Sequence, residues 1–261
     1  MLQPTRPPGR EPAFAIPGAL VAAIAVLLLI HAARGGLSEM TDLRLVLDLG
    51  FVPSRLSVAL GWADVASAVR EAGDGIADPE VAAARGALAG YVLETSGARP
   101  WTLLTYAILH GSWMHVGLNC LWLAAFGTPV LRRLGPARAL ALGAATSVAG
   151  ALLFWIVNPA ASQVLIGASG AVSGFMGAAA LFVFATPAIP GLRPPPGALA
   201  AYGRLLRNRS ALFFLGTWFV MNMVVGLLGG PLGIVEGGIA WEAHIGGLLA
   251  GLLLFPLLDP A

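Results

Sequence analysis

An uncharged apolar run from Ala13 to Ala33, interrupted only by Pro17 and His31, has the length a helix needs to cross a bilayer, about 20 residues. Five further runs follow, from Trp101 to Leu131, Ala139 to Val157, Ser169 to about Ala185, Ala211 to Leu228 and Ile239 to Leu258. The predicted fold is therefore an all-α membrane protein with six transmembrane helices in one domain, residues 13–258. Composition agrees, since only 11% of residues are charged and a soluble domain carries roughly 25%. The apolar core of a signal peptide runs about 7–15 residues, so the first run reads as a retained helix.

Two segments stand apart. Residues 1–12 are rich in Pro and Arg and read as a disordered cytoplasmic tail. Residues 34–100 mix charges with short apolar patches, none a convincing span, and read as a long extracytoplasmic first loop of short amphipathic helices at the interface. Asp78-Pro79-Glu80 marks one helix start there.

The chain carries 15 arginines, no lysine and 13 acids. The charges lie between the apolar runs and form no basic stripe, which speaks against a nucleic-acid partner. Nine of the arginines fall in the tail, the 132–138 turn and the 186–210 segment. The positive-inside rule then puts both termini in the cytoplasm, because long loops such as 34–100 count little. A single Cys120 excludes an intramolecular disulfide and reads as a small buried hydrophobe.

Polar groups inside apolar spans are costly and mark function by default. In the later spans they are His110, His115 and Asn119 early in the second, Ser169 and Ser173 in the fourth, Asn222 in the fifth, and Glu242 and His244 early in the sixth. With the N-terminus inside, His115, Ser169 and His244 share one side of the bilayer at similar depth. His115 and Asn119, four apart, stack on one helix face. His110 and His115, five apart, should diverge around the helix, which argues against a two-histidine metal pair.

A serine attacks only when a base takes its proton, and His244 is the candidate base. Gly170 and Gly174 beside Ser169, and Gly247 and Gly251 beyond His244, supply small-residue spacings that let the two helices approach closely. His115, Asn119 and the Ser169 backbone N–H are candidate oxyanion donors. Glu242 lies roughly 200° around the helix from His244, a position expected at the water boundary, so the reading is a Ser-His dyad without a third acid. Ser173, one turn deeper, is the alternative hydroxyl, and Asn222 reads as an interhelical hydrogen-bonding group. Each signal alone also fits ordinary helix packing.

Together the motifs resemble the rhomboid family of intramembrane serine proteases. They are His115-Val116-Gly117-Leu118-Asn119, Gly167-Ala168-Ser169-Gly170 and Ala243-His244-Ile245-Gly246-Gly247 followed by Gly251. The resemblance implies a six-helix rhomboid-like bundle. Ser169 would be the nucleophile, His244 base and then acid, and His115 and Asn119 the oxyanion donors. It also implies a membrane protein substrate cleaved in or beside its transmembrane helix within the lipid bilayer, with no cofactor and no metal. The Ala, Gly and Arg bias suggests a bacterial inner membrane. An inactive rhomboid-fold protein that binds membrane helices is the alternative, and a small transporter or channel leaves the motifs unexplained. Two positions depart from the family pattern. Its Trp-Arg pair appears as Trp101-Thr102 with Arg99 displaced, and the aromatic expected four residues after the nucleophile is Ser173, for which Trp241 or Phe175 would have to compensate.

Overall fold

A computed structural model describes residues 16–184, 198–228 and 239–259. The tail 1–12 and the Gly-rich loop containing Glu236 lie outside the described residues.

Helix α1 (Gly18–Arg34) is apolar and ends on Arg34, whose guanidinium grips both oxygens of Asp42 at 2.7 and 2.9 Å. Asp42 belongs to α2 (Glu39–Leu49), which Ser38 caps by accepting from the Thr41 N–H. Three more helices complete the 34–100 segment: α3 (Pro53–Ala59), α4 (Val65–Gly73) and α5 (Pro79–Ser96). Asp78 caps α5 with Pro79 at its first position, as the sequence predicts.

This insert is docked on the bundle. Backbone bonds join Phe51 and Leu165 in both directions, and Trp62 stacks on Trp155 with centroids 4.4 Å apart. The Trp155 indole N–H donates to the Ser57 hydroxyl at 2.8 Å. Arg99 pairs with the Asp48 carboxylate and Trp101 donates to the Asp48 carbonyl at 3.1 Å, so the displaced arginine still anchors this stretch to α2.

The sequence expectation of a helix from Trp101 needs correcting. A short helix α6 (Thr102–Thr105) and a 3-10 turn (Tyr106–Ile108) come first, and the long helix α7 (Trp113–Leu134) starts only after Ser112, whose hydroxyl accepts from the His115 N–H. Hydropathy cannot register such a cap, because Ala107, Ile108 and Leu109 just before it are as apolar as the helix that follows.

After α7 come α8 (Pro136–Val157), α9 (Ser169–Val183), α10 (Ala198–Arg207), α11 (Arg209–Leu228) and α12 (Trp241–Leu258). Four of these helices, α7, α8, α11 and α12, are long and apolar enough to span a membrane, whereas α1 and α9 are apolar but shorter. With 15 residues, α9 rises only about 22 Å. It compensates by being the most enclosed helix, with every residue from Val172 to Leu181 buried.

Glycine explains how α9 is enclosed. A Cβ on Gly247 would be driven into the Gly170 carbonyl, and one on Gly251 into the Gly174 carbonyl, so α12 meets α9 backbone to backbone. The preceding Gly246 faces the other way: a Cβ there would lie 2.7 Å from the Ala149 carbonyl of α8. Neighbours on a helix are about 100° apart, so the Gly246-Gly247 pair serves two interfaces and wedges α12 between α8 and α9. At the opposite end Arg133 of α7 binds the Asp259 carboxylate at 2.6 Å and lies over the rings of Phe182 and Phe255, tying α7, α9 and α12 together.

Candidate active site

The polar residues singled out in the sequence gather at the N-terminal ends of α7, α9 and α12. His115, Ser169 and His244 are each half-buried there, in an otherwise apolar bundle. Gly167 is where two of them meet. Its φ of +123° suits glycine alone, and a Cβ built on it would lie 2.7 Å from His115 Nε2 and 3.8 Å from Ser169 Oγ. The missing side chain is what lets the imidazole lie against the turn that leads into Ser169.

The His115 ring is held in a definite sense. Its Nδ1 accepts the Gly111 N–H at 3.4 Å, so in the neutral ring the proton sits on Nε2, the nitrogen facing Gly167. A donor therefore faces Gly167, two residues before Ser169. Asn119 is buried and donates one amide hydrogen to the His115 carbonyl at 3.0 Å.

His110 was expected to diverge from His115. Instead the rings meet edge to face with centroids 5.0 Å apart. Helical spacing does not apply, because His110 precedes the Ser112 cap. The His110 ring turns inward, and its Nε2 accepts the Ala168 N–H at 3.3 Å. Its carbonyl receives Arg34 Nη1 at 2.7 Å. Tyr106 braces the same loop, accepting the Gly167 N–H at its carbonyl and donating its hydroxyl to the Ser147 carbonyl. Nothing local in the sequence marks Tyr106 or His110 as supports for the serine loop. Their partners lie about 40 to 60 residues away.

On α12, His244 stands one turn before Gly247, and Ser169 immediately precedes Gly170, so one of the tight backbone contacts between these helices lies beside both. Asn222 of α11 faces His244, with Oδ1 at 2.6 Å from Nδ1. The expected aromatic compensation is absent among the described residues: Phe175 packs on Gly143 of α8, Trp241 packs on Gly226 of α11, and no ring contacts His244. Glu242 is not at the water boundary either. It is buried and accepts the Asn158 amide at 2.9 Å, because α12 starts beneath the loop that follows α8. Ser173 is buried within α9, and Cys120 is buried as a free thiol. Among the described residues no three His, Cys, Asp or Glu side chains converge as a metal site.

A family model for the rhomboid domain matches residues 97–260. The chain belongs to the rhomboid family. The matched region runs from the anchor at Arg99 through α12, covering every candidate site residue, while α1 to α5 precede it. Rhomboid protease GlpG of Pectobacterium atrosepticum is 28% identical over 154 residues, 59% of this chain and 47% of that protein. Putative rhomboid protease YdcA of Bacillus subtilis is 31% identical over 93 residues, 36% of this chain and 46% of that protein. The matches thus span about half the length of these relatives. This rhomboid is an integral membrane protein with an all-α fold.

Proposed function

We propose that this rhomboid is an intramembrane serine endopeptidase that cleaves membrane proteins in or near a transmembrane helix through a Ser169–His244 dyad. The observation that carries the reading is the backbone contact of α9 and α12 at Gly170 and Gly247, which brings the loop end of one helix beside the His-bearing turn of the other. Both side chains are half-buried, as a group that must meet substrate and water has to be. The names of the two relatives point the same way.

In the mechanism, His244 Nε2 takes the Ser169 hydroxyl proton as Oγ attacks the scissile carbonyl. The tetrahedral oxyanion is stabilised by His115 Nε2–H, the Asn119 amide and the Ser169 backbone N–H. Collapse breaks the C–N bond, and His244 returns the proton to the leaving amine. Water, deprotonated by His244, then attacks the acyl-enzyme and releases the new carboxylate and Ser169.

The arginine distribution supports six spans with both termini in the cytoplasm, and α1 and α9 supply the two that are shorter than usual. The site then opens toward the outer face of what the bacterial relatives suggest is an inner membrane. The test is cleavage of a model transmembrane substrate by purified wild type, Ser169→Ala and His244→Ala, with fluorophosphonate labelling in parallel. Cleavage and labelling are expected in wild type and lost in both variants. Equal cleavage by Ser169→Ala would overturn the nucleophile, labelling at Ser173 would move it, and an inert wild type across varied substrates would favour a non-catalytic helix binder.

A further inference from the structure

We propose that Asn222 is the positioning residue of this site: it holds His244 in the one tautomer and orientation that leave Nε2 free for the Ser169 proton. The inference rests on the Ser169–His244 reading and adds a third side chain to it.

The amide's two ends decide the hydrogen-bond sense. Asn222 Nδ2 donates to the Trp241 carbonyl at 3.2 Å, while Oδ1 lies 2.6 Å from His244 Nδ1. Turning the amide over would set its oxygen against the Trp241 carbonyl, two acceptors with no hydrogen between them. The oxygen therefore faces the imidazole and accepts from Nδ1–H. A neutral imidazole carries one ring hydrogen, so Nε2 keeps its lone pair, which is what a general base requires.

The placement of Asn222 is specific. Helix α11 is exposed along most of its length, and Ala211 and Asn222 are its buried residues. One turn further, Gly226 shares the face of Asn222, and a Cβ there would come within 2.7 Å of the Trp241 side chain. Helix α11 thus closes on the start of α12 at this point, and Asn222 is the polar group it delivers. An aromatic ring four residues after the nucleophile would hold His244 by stacking. This chain has Ser173 in that position, and the amide of α11 holds the imidazole from its other nitrogen instead.

A neutral amide orients His244 but gives the imidazolium no countercharge, so the expected loss is moderate. Partners that orient metal-ligating histidines are worth about 10- to 100-fold, and a loss of that order is expected for the Nδ1 partner of His244. The experiment compares wild type, Asn222→Leu, Asn222→Asp and Ser169→Ala, each purified full length and assayed on a model transmembrane substrate, with kcat and KM measured separately. Asn222→Leu removes both polar ends at similar volume and is expected to lower kcat by that factor with KM nearly unchanged. Asn222→Asp keeps the acceptor for Nδ1–H but sets its second oxygen against the Trp241 carbonyl, so it is expected to recover part of kcat and to exceed Asn222→Leu. A packing role alone would make the two variants alike.

Histidine-selective 15N NMR gives a second readout that needs no variant at Asn222. The His244 signals, identified by their loss in His244→Gln, are expected to report Nδ1–H and a bare Nε2 in wild type. Wild-type kcat in Asn222→Leu, equal losses in the two Asn222 variants, or an Nε2–H tautomer in wild type would each overturn the proposal. Full activity in Ser169→Ala would instead remove the dyad on which it rests, and the two failures are thereby distinguishable.

Discussion

Gly251 of α12 and Gly174 of α9 stand so close that a Cβ on Gly251 would be forced into the Gly174 carbonyl. The Cβ position is fixed by the backbone and the atom it meets is a backbone oxygen, so no rotamer change can relieve the clash. Gly251→Val should therefore separate the helices, costing at least the roughly 1–3 kcal/mol of ordinary overpacking. A displacement of this kind reaches His244, and misplacement of reacting groups by about 1 Å can lower the rate on the order of 100-fold. Thermal unfolding in detergent and cleavage rate should fall together. Gly216→Ala is the control, because a Cβ there meets nothing within 4 Å.

His115 faces Gly167 with Nε2–H, and the proposed chemistry uses that hydrogen on the oxyanion. Loss of one such donor costs on the order of 100- to 1,000-fold in kcat. His115→Ala is expected to show this fall with a KM close to wild type. A change in KM alone would argue for substrate contact instead.

The buried ring of His110 accepts the Ala168 N–H. His110→Leu keeps the volume but leaves that N–H without a partner, a loss of about 1–3 kcal/mol. Lower thermal stability is expected, with a lower kcat because Ala168 adjoins Ser169. His110→Gln, which offers an acceptor, should recover part of both.

The hydrogen bond from Arg34, helped by its charge, holds the Asp42 carboxyl below its ordinary range. A carboxyl depressed in the folded state contributes stability above its unfolded pKa, near 4, and loses it as pH falls through the folded value. Asp42 is partly exposed, so the contribution is about 1 kcal/mol or less. Asp42→Asn should unfold at lower temperature than wild type at pH 7. The gap should narrow through pH 4 and close below it.

Much of this structure was legible one segment at a time. The apolar runs gave α8, α9, α11 and α12 within a few residues, because hydropathy over a helix length is a local property. The Gly170/Gly174 and Gly247/Gly251 spacings likewise announced a close helix pair, and that pair is present. The start of α7 was not legible, since Ser112 caps a helix inside a run that is apolar on both sides. For the same reason the sequence places His110 in a helix it does not occupy and gives no sign of its approach to His115.

What the sequence determined by itself is the all-α membrane class and the motifs carrying Ser169, His244, His115 and Asn119, because composition and spacing along one chain suffice for both. Only the tertiary structure decided what faces what across helices. Gly246 and Gly247 differ by one residue yet serve α8 and α9 separately. Glu242 is buried against Asn158, and the His244 ring meets Asn222 rather than an aromatic. Such pairings depend on the rotation and offset of each helix against its neighbours, which residues distant in the chain fix jointly by close packing.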